Sequence, residues 1–316
     1  MLTGILAGIT WALETVLLGI ALGMSPLVST EQAILLAPFL GTFLHDATSA
    51  IFMLIYNACR KNLKNVFSVL KSKSLPWLVL ASAIGGPIGM TGYVLAVNNL
   101  GASIGAVASA VYPAIGTVLS CVFLKEKVKW YQWVFLGFTL LGVYGLSYSP
   151  AISVENFWLG LLGAFLCAFG WGIEAVILAK CLKDPRIKNE YALTVRQTVS
   201  ALIYGALILP ALNGWGFTVD LLRGDTALLF PTIAAAALCA TISYLFYYKA
   251  IASIGAAKAM ALNITYTAWA IVFTVILLGD LSVLSPLTIF CAAVVVLCGL
   301  FAATDIKMLF SKRKKG

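Results

Sequence analysis

Apolar runs of about 20 residues recur along nearly the whole of this 316-residue chain. A helix rising 1.5 Å per residue needs about that many to cross the hydrocarbon core of a bilayer. No strand-like alternation of the kind that builds membrane barrels is present. Composition agrees: 61% of residues are hydrophobic and 10% are charged, with a mean hydropathy of +0.99, whereas a soluble domain carries about 25% charged residues. An all-α membrane protein is therefore expected, with spans at 2–22, 32–58, 76–98, 101–124, 130–149, 157–180, 190–212, 227–249, 253–278 and 283–303, which makes ten transmembrane helices. The N-terminus has no basic segment and Glu14 interrupts its apolar run, so the first span reads as mature structure rather than a signal peptide.

Basic residues collect in alternate loops. Arg60, Lys61, Lys64, Lys71 and Lys73 lie between spans two and three, and Lys125, Lys127 and Lys129 between four and five. Lys180, Lys183, Arg186 and Lys188 follow span six, and Lys307, Lys312, Arg313, Lys314 and Lys315 form a basic tail at 307–316. The opposite loops carry mainly Glu31, Glu155, Asp220, Asp225 and Asp280, with Arg223 their one base. This positive-inside pattern predicts a multi-pass protein of the plasma membrane with both termini in the cytoplasm. It accounts for the net charge of +9 without a nucleic-acid partner. The seven cysteines form no C-x-x-C pair and read as small apolar packing residues; no metal or cofactor motif is present.

The chain also repeats itself. "WALETVLLGIAL" from Trp11 aligns with "WGIEAVILAKCL" from Trp171 at an offset of 160. "NLGASIGAVASA" from Asn99 aligns with "KAIASIGAAKAM" from Lys249 at an offset of 150. Two five-span halves, 1–149 and 157–306, follow, and an odd number of spans forces the second to enter the membrane from the opposite side. Inverted repeats of this kind belong to alternating-access carriers, which hold their substrate between the halves near mid-bilayer.

Ten spans, the five-plus-five duplication, short loops and the stretch "GYVLAVNNLGASIGAVASAVYPAIGTVLSCVFLKEKV" resemble the drug/metabolite transporter superfamily in its EamA-like, ten-helix form. Pro113 and Glu126 are further marks of it. The second half departs: Asn263 stands where Pro113 stands, and Asp280 matches Glu126 only if a gap of four residues is allowed. Within the superfamily, Trp and Glu in the first span resemble the bacterial choline permeases and, in the placement of the glutamate, the small multidrug resistance proteins. The resemblance implies cationic substrates and, by analogy, proton coupling through a glutamate.

An ionised carboxylate at mid-bilayer costs several kcal/mol unless paired, hydrated or protonated. Glu14 lies half-way along the first span and Glu174 two-thirds along the sixth. Arg196 and Lys258 are placed near span ends, where their heads can snorkel, so no basic residue is expected mid-span to neutralise the two acids. A cationic substrate, or protons, would do so. Trp at i and Glu at i+3 share a helix face in both halves, which presents an indole and a carboxylate together. A cation over an indole gains roughly 0.5–2 kcal/mol, and a quaternary ammonium, having no N–H, is held by ring faces and diffuse counter-charge. Trp11 and Trp171 are the expected cage walls, with Glu14 and Glu174 as counter-charges and coupling groups. Tyr112 and Tyr244 are the favoured further walls among Tyr93, Tyr112, Tyr244, Tyr247, Tyr248, Tyr266 and Trp269, with Asn263 and Tyr266 on one face.

His45 and Asp46 are adjacent in span two. Side chains at i and i+1 point about 100° apart, so no simple dyad is expected. His45, the one histidine, reads either as a packing residue or as a substrate contact and proton-linked switch. The leading expectation is a secondary carrier importing choline or a related quaternary amine with protons, in contact with membrane lipid. The competing one is an exporter of amino acids, cationic drugs or other small metabolites. One histidine, no H-E-x-x-H and no nucleotide-binding motif argue against an intramembrane enzyme or an ATP-driven pump.

Overall fold

The computed structural model describes residues 1–101, 105, 107, 110–148, 154–223 and 226–305. The basic tail, Asp225 and most of the small-residue run at 101–105 lie outside the described residues. The main helices are α1 (Leu2–Leu22), α2 (Glu31–Cys59), α3 (Leu75–Leu100), α4 (Tyr112–Phe123), α5 (Trp130–Ser147), α6 (Phe157–Cys181), α7 (Asn189–Ala211), α8 (Leu229–Ile254), α9 (Ala256–Leu278) and α10 (Pro286–Ala303). Among the described residues there is no strand. All but α4 and α5 are long and apolar enough to cross a bilayer, and the chain is a multi-pass membrane protein. α4 is apolar but described over only 12 residues, and α5 opens on Trp130, Tyr131 and Gln132, which dilute its hydropathy.

Local chemistry sets the helix ends. Thr30, Asn156 and Ser285 each accept a hydrogen bond from a backbone N–H three residues on, at Ala33, Leu159 and Thr288. These satisfy donors that a first helical turn leaves free. The sequence ended a span at 249, but α8 runs on to Ile254 because Lys249 is exposed and its charged head needs no helix end. The break falls at Gly255, whose φ of +91° suits a residue without Cβ. The N-terminus of α9 is capped from across the bundle: the Glu126 carboxylate accepts from Ala256 N at 2.8 Å and Ala257 N at 3.1 Å. Gly101, at the end of α3, adopts a matching φ of +83°.

α1 packs along α8, α6 along α3, α2 against α7, and α5 against α10. α9 also contacts α1, and α4 contacts α6. Small residues permit the close approaches. A Cβ added at Gly92 would lie 2.7 Å from the Gly163 carbonyl oxygen, and one at Gly163 would lie 2.6 Å from that of Gly92. Apolar side chains such as Leu287, Phe290 and Leu297 of α10 project outward, as lipid contact requires. All seven cysteines are free, with Cys167, Cys181 and Cys291 buried among apolar neighbours.

Two helices widen into a π-helical turn, at Ile84–Ile88 in α3 and Tyr204–Ile208 in α7. Pro87 lies in the first and lacks the N–H a regular helix would use there. In each turn a glycine carbonyl accepts an indole N–H: Gly85 from Trp171 Nε1 at 3.0 Å, and Gly205 from Trp215 Nε1 at 2.9 Å.

Candidate functional site

Five helices converge on one cavity. α1 contributes Trp11, α4 Tyr112, α6 Trp171 and Glu174, α8 Tyr244 and Tyr247, and α9 Asn263 and Tyr266; Ser243 and Tyr248 complete its polar lining. Its volume is about 50 Å³. That holds a few waters, each of which needs at least about 10–15 Å³, whereas sites that enclose small ligands measure about 300–1,000 Å³. Admission of a substrate therefore requires side chains to move. A larger groove of about 600 Å³ lies on the outer surface beside the exposed Trp77 and Phe123; its lining is apolar except for Lys180, which makes it no site for a cation.

The cavity walls are aromatic rings set edge to face. Trp11 meets Tyr244 at 4.9 Å between centroids and 83° between planes, and Trp171 meets Tyr112 at 5.7 Å and 89°. Tyr93 stacks on Trp171 at 6.1 Å. The Gly85 carbonyl and the two tyrosines hold the Trp171 indole in one orientation. Gly85 has a second role: a Cβ there would overlap the Glu174 carboxylate, so only glycine lets α3 pass so close to the acid. Asn263 Nδ2 donates to the Tyr112 hydroxyl at 3.0 Å, while Asn263 Oδ1 has no hydrogen-bond partner.

Beneath these rings lies a buried charge cluster. Glu14, His45, Asp46, Glu174 and Arg196 are the charged or titratable acid and base side chains buried among the described residues. Arg196 Nε donates to Glu174 Oε1 at 3.1 Å, and Nη1 lies 3.6 Å from Asp46 Oδ2. Its Nη1 also donates to Gln197 Oε1 at 2.9 Å. The guanidinium carbon stands 4.5 Å from the centre of the Tyr244 ring, within cation–π range. Asp46 Oδ1 pairs with His45 Nδ1 at 2.9 Å, and His45 Nε2 lies 3.5 Å from Glu14 Oε1. Removing one partner of such a buried pair costs about 3–5 kcal/mol, because a charge is left unmet away from water.

Two expectations are corrected here. Arg196 does not snorkel from a span end: it is 3% exposed and stands eight residues into α7, between Asp46 and Glu174. One of the two glutamates is thus neutralised from within. His45 and Asp46 do touch, because their Cβ directions diverge but rotation about their side-chain bonds brings Nδ1 back to Oδ1.

Of the residues singled out from the sequence, Trp11, Tyr112, Trp171, Glu174, Tyr244 and Tyr266 line one cavity. Glu14 and His45 form the adjoining buried pair and do not line it, and neither does Trp269, one turn beyond Tyr266 on α9. Ser243 and Arg196 were missed. Ser243 gave no signal; Arg196 could have been found as a cation eight residues inside an otherwise apolar span.

Residues 1–148 match the EamA-like transporter family. The chain is 32% identical to Protein LicB of Haemophilus influenzae over 194 residues, which are 61% of this chain. That match spans 63% of the length of the relative. S-adenosylmethionine uptake transporters of Rickettsia bellii and Rickettsia felis are 25% and 26% identical, each over 69% of this chain and over 72% and 71% of their own lengths. A protein of known crystal structure is similar over 96% of both chains with a TM-score of 0.69 at 17% identity, which shows a shared fold. The resemblance to EamA-like transporters is borne out over residues 1–148, the stretch that matches that family.

Proposed function

We propose that this protein is a proton-coupled secondary transporter that imports choline or a related quaternary ammonium compound by alternating access. The observation that carries the reading is charge balance beside an aromatic cage. Glu14, Asp46 and Glu174 are three buried carboxylates, against one guanidinium and one imidazole. Even with His45 protonated one negative charge is left over, to be met by a proton or by a substrate cation. The cavity next to it is walled by the rings of Trp11, Trp171 and Tyr244, and ring faces suit a cation with no N–H. Asn263 Oδ1, free on the cavity wall, would accept the hydroxyl of choline.

In this reading ten helices form two inverted five-helix repeats in the plasma membrane, 1–149 and 157–306, with both termini cytoplasmic. Position supports it. An offset of 154, rather than 150, pairs Tyr93 with Tyr247, Gly101 with Gly255, Tyr112 with Tyr266 and Glu126 with Asp280, and an offset of 160 pairs Trp11 and Glu14 with Trp171 and Glu174. The packing has the same symmetry, since α1 on α8 is matched by α6 on α3. The two relatives named for S-adenosylmethionine uptake favour a second reading with the same chemistry, because a sulfonium is also a cation without N–H. A cavity of about 50 Å³ must open for either ligand, and the adenosyl group demands the larger opening.

Uptake of labelled choline into proteoliposomes, with and without an imposed proton gradient, tests the proposal. Saturable, gradient-stimulated uptake that tetramethylammonium inhibits, and ethanolamine inhibits at least about tenfold more weakly, is expected. Equal inhibition by ethanolamine would remove the cage. Inhibition by S-adenosylmethionine alone, with no choline uptake, would transfer the site to the sulfonium.

A further inference from the structure

In the transport reading above Arg196 enters only as one charge in a balance, which leaves its position unexplained. It is also unexpected, because a site built for a cation already contains one. Its guanidinium makes the two contacts a quaternary ammonium would seek: it lies 4.5 Å from the centre of the Tyr244 ring and bonds the Glu174 carboxylate at 3.1 Å. Tyr244 and Glu174 both line the cavity. The guanidinium is planar and permanently charged, so it cannot leave this place by losing a proton.

It can leave by moving. Asp46 Oδ2 stands 3.6 Å from Nη1, longer than a hydrogen bond yet close enough to receive the guanidinium after a small rotation. The acid is held there by His45 and is itself 2% exposed. Arg196 therefore stands between two carboxylates, one on the cavity wall and one behind it.

Resting on the quaternary-ammonium reading, we propose that Arg196 is a built-in competitor of the transported cation: it holds Glu174 and Tyr244 when the substrate is absent, retreats to Asp46 when the substrate binds, and returns to expel it. A carrier needs its site to release cargo as readily as it binds it. A tethered cation that competes for the counter-charge provides this, because the carboxylate is never left unpaired in either state, and an unpaired buried charge is what would make release slow. Competition between two cations for one acid also makes affinity depend on Asp46, which touches the retreated arginine and not the substrate.

The test is choline and tetramethylammonium binding by isothermal titration to the purified full chain, with uptake measured in parallel. Arg196→Gln is expected to bind both cations about tenfold more tightly or better, and to transport more slowly because release is no longer driven. Asp46→Asn, which removes the place of retreat and locks Arg196 on Glu174, is expected to weaken binding about tenfold. In the Arg196→Gln background the Asp46→Asn change is expected to have no such weakening effect. If the wild type binds and folded Arg196→Gln binds no more tightly, the competitor role is wrong while the transport reading stands. If the wild type binds neither cation, the transport reading fails and takes this role with it. Should Arg196→Gln fail to fold, Asp46→Asn decides alone: unchanged or tighter binding overturns the proposal.

Discussion

Glu14 and Glu174 each follow a tryptophan by three residues on a membrane helix, yet the structure gives them different company. Glu174 lines the aromatic cavity and is paired with a guanidinium. Glu14 is set back from the cavity, with an imidazole nitrogen 3.5 Å away and the Thr15 hydroxyl donating at 3.3 Å. The two basic partners come from adjoining helices, His45 on α2 and Arg196 on α7, and those helices pack against each other. The difference between them is one of chemistry: arginine stays charged at every physiological pH, and histidine is the side chain that changes charge there. Under the proposed transport reading, the Glu174 side is suited to exchange a cation for a cation and the Glu14 side to exchange a proton, a division set by a single partner residue in each.

That division is open to being broken. The largest effect is expected from comparing Glu174→Gln with Glu14→Gln. The first removes the counter-charge and leaves Arg196 to repel a cation, so choline binding falls about 100-fold or more. The second keeps binding within about threefold but removes the dependence of uptake on the proton gradient. Equal loss of binding in both variants would erase the distinction between the halves. The cage walls come next. Trp171→Ala is expected to weaken choline binding about tenfold and Trp11→Ala about threefold, as cation–π contributions allow. Trp171 has the larger effect because its indole also fixes Tyr93 and Tyr112 and is itself held by Gly85.

A finer comparison sets choline against tetramethylammonium. Asn263→Ala is expected to weaken choline binding two- to tenfold, the range of one hydrogen bond, and to leave tetramethylammonium binding unchanged. A parallel loss for both would mean that Asn263 acts only through the Tyr112 hydroxyl. The smallest effect compares the acids after α4 and α9. Glu126→Gln is expected to cost about 1 kcal/mol and lower the thermal midpoint in detergent, because its carboxylate caps α9 from the other half of the chain. Asp280→Asn is expected to cost less, since Asp280 accepts only from Ser282 two residues away. A larger loss in Asp280→Asn would reverse the assignment of which acid ties the halves together.

Much of this site was legible before any coordinates. The Trp-Glu spacing placed indole and carboxylate on one face, and a duplicated face is hard to explain by packing alone. Tyr112, Tyr244 and Tyr266 were in view as candidates, but ten apolar helices offer many tyrosines, and helices that are apolar all round do not declare which face turns inward. Trp269 was drawn in by that ambiguity. An offset of 150 aligns the small-residue runs, whereas one of 154 pairs Gly101 with Gly255 at the two helix breaks; alanines and glycines align with one another almost as well four residues away, so sequence does not choose between them.

What the sequence by itself determined was the class: the length and apolarity of the runs leave a helical membrane protein as the solution, residues 1–148 resemble EamA-like transporters, and the acids in those runs single out where chemistry must happen. Tertiary structure alone decided how those acids are partnered. Arg196 could snorkel or turn inward, and His45 could ignore Asp46 or bind it; neither outcome is written in spacing along one helix. Both were settled by the rotation and crossing of α2, α6 and α7, which bring the Asp46 and Glu174 carboxylates to one guanidinium in a medium where a charge left alone costs too much to remain.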